Sequence, residues 1–158
     1  SATINFINHY KENILMKKKV NYKFLKEMFS KTPQTTLGIK KIVDLDSKNG
    51  KASVIYQAKK NMCHSGNIVQ GGFITGWLDA VMALACMCKL GEDVLVLSLE
   101  IKTTFINTVH PGDVKVSGRI IKAGKNIAFL EADLRDNKNN LLAKANQTVK
   151  LIKNFYKE

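Results

Sequence analysis

The chain has 158 residues, 45% of them hydrophobic, and 25 basic against 13 acidic side chains give a formal net charge of +12. That length buries one sizeable core and is too short for two ordinary domains, so one domain is expected over residues 1–158, with 1–33 a helical extension of a core at 34–158. Two prolines and no low-complexity run argue against a linker or a repeat array.

The charge by itself does not call for nucleic acid. Only Arg119 and Arg135 among the basic residues are arginine, the side chain preferred at bidentate phosphate sites. No helix-turn-helix, finger or aromatic-basic ribbon accompanies the lysines. Neither nucleic acid nor membrane is therefore an expected partner. Cys63, Cys86 and Cys88 form no Cys-x-x-Cys pair and have no His at finger-like spacing, so neither a disulfide framework nor a metal is expected. Reduced thiols, and the lack of an apolar run with a cleavage site in residues 4–19, point to the cytoplasm.

In chain order, residues 3–29 carry apolar side chains at intermittently helical spacing and predict one or two short amphipathic helices, closed by Lys31-Thr32-Pro33. Beyond Pro33 the period becomes two. Leu37, Ile39 and Ile42, then Ala52, Val54 and Tyr56, predict two strands joined by a turn at Asn49-Gly50. Residues 59–69 are polar and turn-rich and are expected to form a loop. Residues 73–90 are apolar on every side except at Asp79, which predicts a fully buried helix. Its length approaches a membrane core, but a mid-span Asp and flanking strand-like segments disfavour a span. Four strands follow, at 94–107, 114–123, 127–136 and 141–152, separated by turn residues; such short connections predict antiparallel neighbours. A curved antiparallel sheet wrapped around the apolar helix would cover it, which makes the class α+β.

The helix opens on Val69-Gln70-Gly71-Gly72, with Asp79 eight residues after Gly71. A first helical turn presents unpaired N–H groups at the positive end of a dipole, where a carbonyl oxygen gaining charge would be stabilised. Paired glycines let a ligand approach the backbone; they also permit tight packing, and the two readings stay open on this segment alone. A carboxylate in an apolar helix is either paired structurally or held for function. Eight helical residues span about 12 Å, so one carbonyl cannot touch the Gly71 N–H and Asp79 of the same chain, and one site would need two chains.

Weaker candidates are Ser98, which interrupts the run Val94, Val96 and could bond a carboxylate or water, and His64, which could orient a substrate. Lys122 and Lys125 flank a glycine-containing turn that could hold phosphates, although a solvated turn is the default. Cys63 beside His64 is a sequence neighbour, not the spatial pair that thiol chemistry requires.

Taken together, His64, Gly66, Gln70-Gly71-Gly72, Asp79, Ser98-Leu99-Glu100-Ile101, Asn107, His110-Pro111-Gly112-Asp113, Gly124-Lys125 and Ala143 resemble the hotdog-fold thioesterases of the phenylacetyl-CoA thioesterase (PaaI-like) type, over roughly residues 37–152. The resemblance implies a hotdog fold and hydrolysis of acyl-CoA to a carboxylic acid and free CoA, without metal or other cofactor, by a homodimer or a dimer of dimers. It implies that the Gly71 N–H bonds the thioester oxygen, that Asp79 of the partner chain is general base or nucleophile, and that Ser98 places the water. It also implies catalytic roles for Gln70 and His64, substrate contacts at Asn67 and Gly72, and contacts to the nucleotide end of CoA at Lys122, Gly124, Lys125 and Asn126. Such enzymes usually carry His where this chain has Gln70, and Asn where it has His64. A non-catalytic acyl-CoA or acyl-lipid sensor on the same scaffold is the alternative, and a hotdog dehydratase, which needs a placed His with an acidic partner, is a more distant one.

Overall fold

The computed structural model describes residues 20–155, so the helical expectation for residues 3–19 lies outside the described residues. Helix α1, Tyr22–Phe29, is capped by Asn21, whose side-chain oxygen accepts the Phe24 N–H at 3.1 Å, and it buries Leu25 and Phe29. Strands β1 (Ile39–Asp46) and β2 (Lys51–Ala58) then form the expected hairpin. Its turn is fixed by the Asp46 carboxylate, which accepts both the backbone and the side-chain N–H of Asn49, and by Gly50 at φ +64°.

Residues 59–69 are more ordered than a plain loop. They hold the short strands β3 (Cys63–His64) and β4 (Ile68–Val69), paired antiparallel and flanked by single helical turns. Helix α2, Gly71–Leu90, follows, and then β5 (Leu95–Phe105), β6 (Gly112–Ala123), β7 (Ile127–Asp136) and β8 (Leu141–Ile152). The six long strands make one antiparallel sheet in the order β1-β2-β6-β7-β8-β5.

Period-two alternation aims one side of each strand at α2. Val54 and Tyr56 of β2, Val116 of β6, Leu130 and Leu134 of β7, and Ala143, Ala145 and Val149 of β8 are buried there. From the helix, Trp77, Leu78, Val81, Met82 and Leu84 meet them. Trp77 stacks on Tyr56 with ring centroids 5.9 Å apart, and its indole N–H donates to the Leu37 carbonyl at 2.7 Å, so its one polar group is satisfied inside the core. Helix and sheet approach closely at Gly118, where a Cβ would stand 3.0 Å from the Val81 backbone.

Two sequence expectations are corrected. The helix α2 is not buried on every side: Gly72, Thr75, Asp79, Ala83 and Met87 form a stripe, three or four residues apart, that the sheet leaves partly open. One sheet covers one side of a cylinder, and the remaining side of an apolar helix stays uncovered within the single chain. The helix is long and apolar enough to cross a membrane by composition; here its largest side chains pack on the sheet. The second correction concerns β5 and β6, which are joined by six residues, 106–111, yet are not neighbours, because β7 and β8 lie between them. Six extended residues reach about 20 Å, more than the roughly 15 Å of three inter-strand spacings. A short connection therefore sets a maximum distance without choosing the partner.

The tight crossing at Gly118 gives a stability test. Gly118→Ala presses a methyl group on helix backbone rather than on a movable side chain, and should destabilise the fold by about 1–3 kcal/mol, a fall in Tm of roughly 2–12 °C, read by thermal unfolding.

Candidate active site

One seam of the molecule, between α2 and the edge strand β5, carries a polar column. Gly71, Thr75 and Asp79 are spaced by four and so share a helix face. Opposite them stand Phe105, whose ring lies 2.9 Å from where a Gly71 Cβ would be, Thr103, whose hydroxyl bonds that of Thr75 at 3.0 Å, and Ser98, whose hydroxyl donates to Asp79 Oδ1 at 3.0 Å.

Asp79 is half-buried, not sealed in the core. Its Oδ1 accepts from Ser98 and also from the side-chain amide of Gln147, which donates to Ser98 Oγ as well, at 2.6 Å. Asp79 Oδ2 receives no hydrogen bond among the described residues. One carboxylate oxygen is therefore anchored and the other is left with its lone pairs available. Ser98 itself is exposed, on the side of β5 that pairs with Val149. Sequence reasoning missed Gln147, although the signal was present: it is the single polar side chain in the inward row Ala143, Ala145, Gln147, Val149, Leu151 of β8, and it is 3% exposed.

At the start of α2, Gln70 takes the capping position in extended conformation and is exposed, and its side chain makes no cap bond. Gly71 is the first helical residue, where the backbone N–H has no acceptor within the helix. His64, Gly71, Phe105 and Asn107 line a cavity of about 440 Å³ with Ile68, Val69 and Ile74. His64 and Gly71 thus line one cavity. Gly72 and Asn67 are exposed nearby; Asn67 adopts φ +56° and its carbonyl bonds His110 Nδ1 at 3.0 Å.

Gly124, Lys125 and Asn126 form the exposed β6–β7 turn, and Lys122, also exposed, stands at the end of β6 that leads into it. The Gly124 N–H donates to the Ile127 carbonyl at 2.8 Å, and the Asn126 carbonyl accepts from Leu151 at 2.7 Å, so the turn is fixed while its lysines face solvent. Register places this turn at one end of the sheet: Ala123 pairs with Ala128, Ala128 with Val149, and Val149 with Ser98. Phe105, beside Gly71, pairs with Ala143, which pairs with Leu134, toward the other end. The Asp79 cluster and the lysine turn therefore share one end of the sheet, and the amide-rich helix start with His64 belongs to the other. Cys63 is half-buried and its Sγ points to the Lys59 carbonyl at 3.5 Å rather than to His64. No group of three or more His, Cys, Asp or Glu able to hold a metal occurs among the described residues.

The sequence profile of the thioesterase superfamily matches residues 66–143. The chain carries a thioesterase-superfamily domain of the hotdog fold. Its reaction class is thioester hydrolysis. Among solved structures, a conserved protein of Pseudomonas aeruginosa, PA5202, is 27% identical, with 80% of this chain and 98% of that one aligned at a TM-score of 0.73. The thioesterase HI1161 of Haemophilus influenzae is 22% identical over 87% of this chain and 94% of its own, at a TM-score of 0.76. The E. coli PaaI protein from the phenylacetic acid degradation operon is 17% identical over 80% and 88%, at 0.72. Within this hotdog thioesterase domain the matched span takes in Gly71, Asp79, Ser98 and the lysine turn, and it excludes His64 and Gln147.

The thiols of the domain are separated by their surroundings. Burial pushes the Cys86 thiol up to about 12, and burial, followed by the charges of Asp46 and Asp44, pushes Cys88 up to about 11. Both stay protonated and inert at neutral pH. Titration of the folded protein with a thiol reagent should modify Cys63 alone, and unfolding should release the other two; rapid native modification of Cys86 would contradict this packing.

Proposed function

We propose that the protein is an acyl-CoA thioesterase that acts in the cytoplasm as a homodimer, or a dimer of dimers, with each site shared between two copies. The observation that carries this reading is the anchored but open carboxylate of Asp79 on the uncovered stripe of α2. About 12 Å of helix separates it from the Gly71 N–H, too far for one small carbonyl. A second copy laid antiparallel against the stripe brings the start of one helix to the middle of the other. The edge strand β5 supports the same pairing: Leu97, Leu99 and Phe105 are exposed on it, and a long apolar edge is a template for another strand.

In this reading the thioester oxygen sits at the Gly71 N–H of one copy, beside His64 and Gln70. Asp79 of the other copy acts through Oδ2, either removing a proton from water held by Ser98 as that water attacks the carbonyl carbon, or attacking the carbon itself to form a mixed anhydride that water hydrolyses after CoA has left. The tetrahedral oxyanion is stabilised by the helix-start amide, and its collapse breaks the C–S bond to release CoA. Asn67 and Gly72 border the acyl and pantetheine path. Lys122, Lys125, Gly124 and Asn126 of the copy that supplies Asp79 lie at the end of the sheet where the anionic nucleotide would emerge. No metal or organic cofactor is required by this chemistry. A non-catalytic acyl-CoA or acyl-lipid sensor is the second reading, favoured by Gln70, which cannot titrate near neutral pH as His does.

A panel of acyl-CoAs with a thiol reagent tests both. The thioesterase releases CoA, and Asp79→Asn lowers kcat by about 10²-fold or more; binding of acyl-CoA without release establishes the sensor instead. Sharing of the site is tested by complementation. Gly71→Pro removes the one amide donor at a first helical position, after a residue already extended, with the exposed Phe105 ring turning aside for the new Cβ, and should cost about 10²–10³ in kcat. Mixed with Asp79→Asn under subunit exchange, half the dimers combine one of each and carry one intact site, so activity should recover to about a quarter of wild type. A site made by one chain would recover nothing.

A further inference from the structure

We propose that Gln147 is the positioning residue of Asp79, a role that rests on the thioesterase reading above. Gln147 occupies an inward position of β8 where its neighbours in the row are apolar, and it is 3% exposed. A strand residue there needs no polar group for packing, and a buried amide must find partners or be left unsatisfied. Its Nε2 finds two, Asp79 Oδ1 and Ser98 Oγ, while the Ser98 hydroxyl donates to the same Oδ1. The three groups close a triangle around a single carboxylate oxygen. The amide orientation is fixed by chemistry, since turning it over would set Oε1 against two oxygens.

This triangle fixes the torsion of the Asp79 carboxylate through Oδ1 and leaves Oδ2 outside it. Gln147 Oε1 is buried without a partner among the described residues and is an acceptor that a water or a substrate donor beside the reacting carboxylate would satisfy. Gln147 reaches the chemistry through Asp79 and Ser98 and does not itself contact the carbonyl undergoing attack.

Two substitutions separate positioning from packing. Gln147→Met keeps the length and fills the row with an apolar side chain, so thermal stability should hold or rise, while kcat for acyl-CoA hydrolysis falls about 10–100-fold with KM nearly unchanged. Gln147→Glu places a carboxyl against Asp79. Protonated, its single O–H can replace the bond to Asp79 though not the second one to Ser98; ionised, it repels. That variant should hydrolyse well at acidic pH and lose activity as pH rises, with a profile the wild type does not show. A kcat within twofold of wild type for Gln147→Met, or a wild-type pH profile for Gln147→Glu, overturns the proposal. A double-mutant cycle on thermal stability, combining Gln147→Met with Asp79→Asn, reads the contact without substrate: non-additive effects support it and additive effects overturn it. A wild type silent on every acyl-CoA would sink the thioesterase reading alone, and the cycle would still decide whether Gln147 holds Asp79.

Discussion

An apolar helix has to lose its hydration on all sides, and one sheet can cover only one of them. In this protein the covered side is close-packed to the point that Gly118 meets helix backbone and Trp77 has a bonded indole inside the core. The uncovered side carries Gly72, Thr75, Asp79, Ala83 and Met87. Asp79 thereby avoids the desolvation that a carboxylate in the covered half would suffer, and small neighbours leave room for something to approach it. The same geometry that keeps the helix from being self-sufficient puts its one acid at a surface between elements, and it is why the proposed site and the proposed dimer come from a single cause.

Much of this architecture could be read from local pattern. Strands beyond residue 94 announce themselves by alternation and by turn residues, and their observed bounds fall within a residue or two of the expected ones. The Asn49-Gly50 turn is read from two residues because its left-handed glycine has few substitutes. Sheet order was not legible. Which strand lies beside β5 depends on how far a six-residue connection can cross the end of a curved sheet, and nothing in residues 106–111 records that choice. The open stripe on α2 was equally hidden, since the helix is apolar nearly all round and hydropathy alone does not distinguish a face packed on a sheet from one left for another surface.

The candidate site was legible where a residue type is costly and hidden where it is ordinary. Asp79 stands out in an apolar helix, and paired glycines stand out at its start. Ser98 and His64 are weak candidates in the sequence; in the structure the one is bonded to Asp79 and the other lines the cavity with Gly71. Gln147 is hidden because β8 reads as an ordinary alternating strand and a glutamine is not in itself a costly residue type. Carried one step further, that alternation sets an amide in an apolar row, an anomaly of the same kind as Asp79.

The choice of an amide to hold the carboxylate has a chemical logic. An arginine or lysine at residue 147 would bind Asp79 more strongly but would offset its charge and weaken it as a base or nucleophile. A second carboxylate would repel it, and an apolar residue would leave its torsion free. Glutamine donates two hydrogen bonds without bringing a charge, so geometry is fixed while the negative charge remains for the reaction. The serine completes the hold from the exposed side, and because both donors converge on Oδ1, the other oxygen keeps its lone pairs unbonded among the described residues. Neutral donors on one oxygen and an open approach to the other are what a carboxylate needs to act on a neutral thioester in the proposed reaction, and both follow from where β5 and β8 pass the middle of α2.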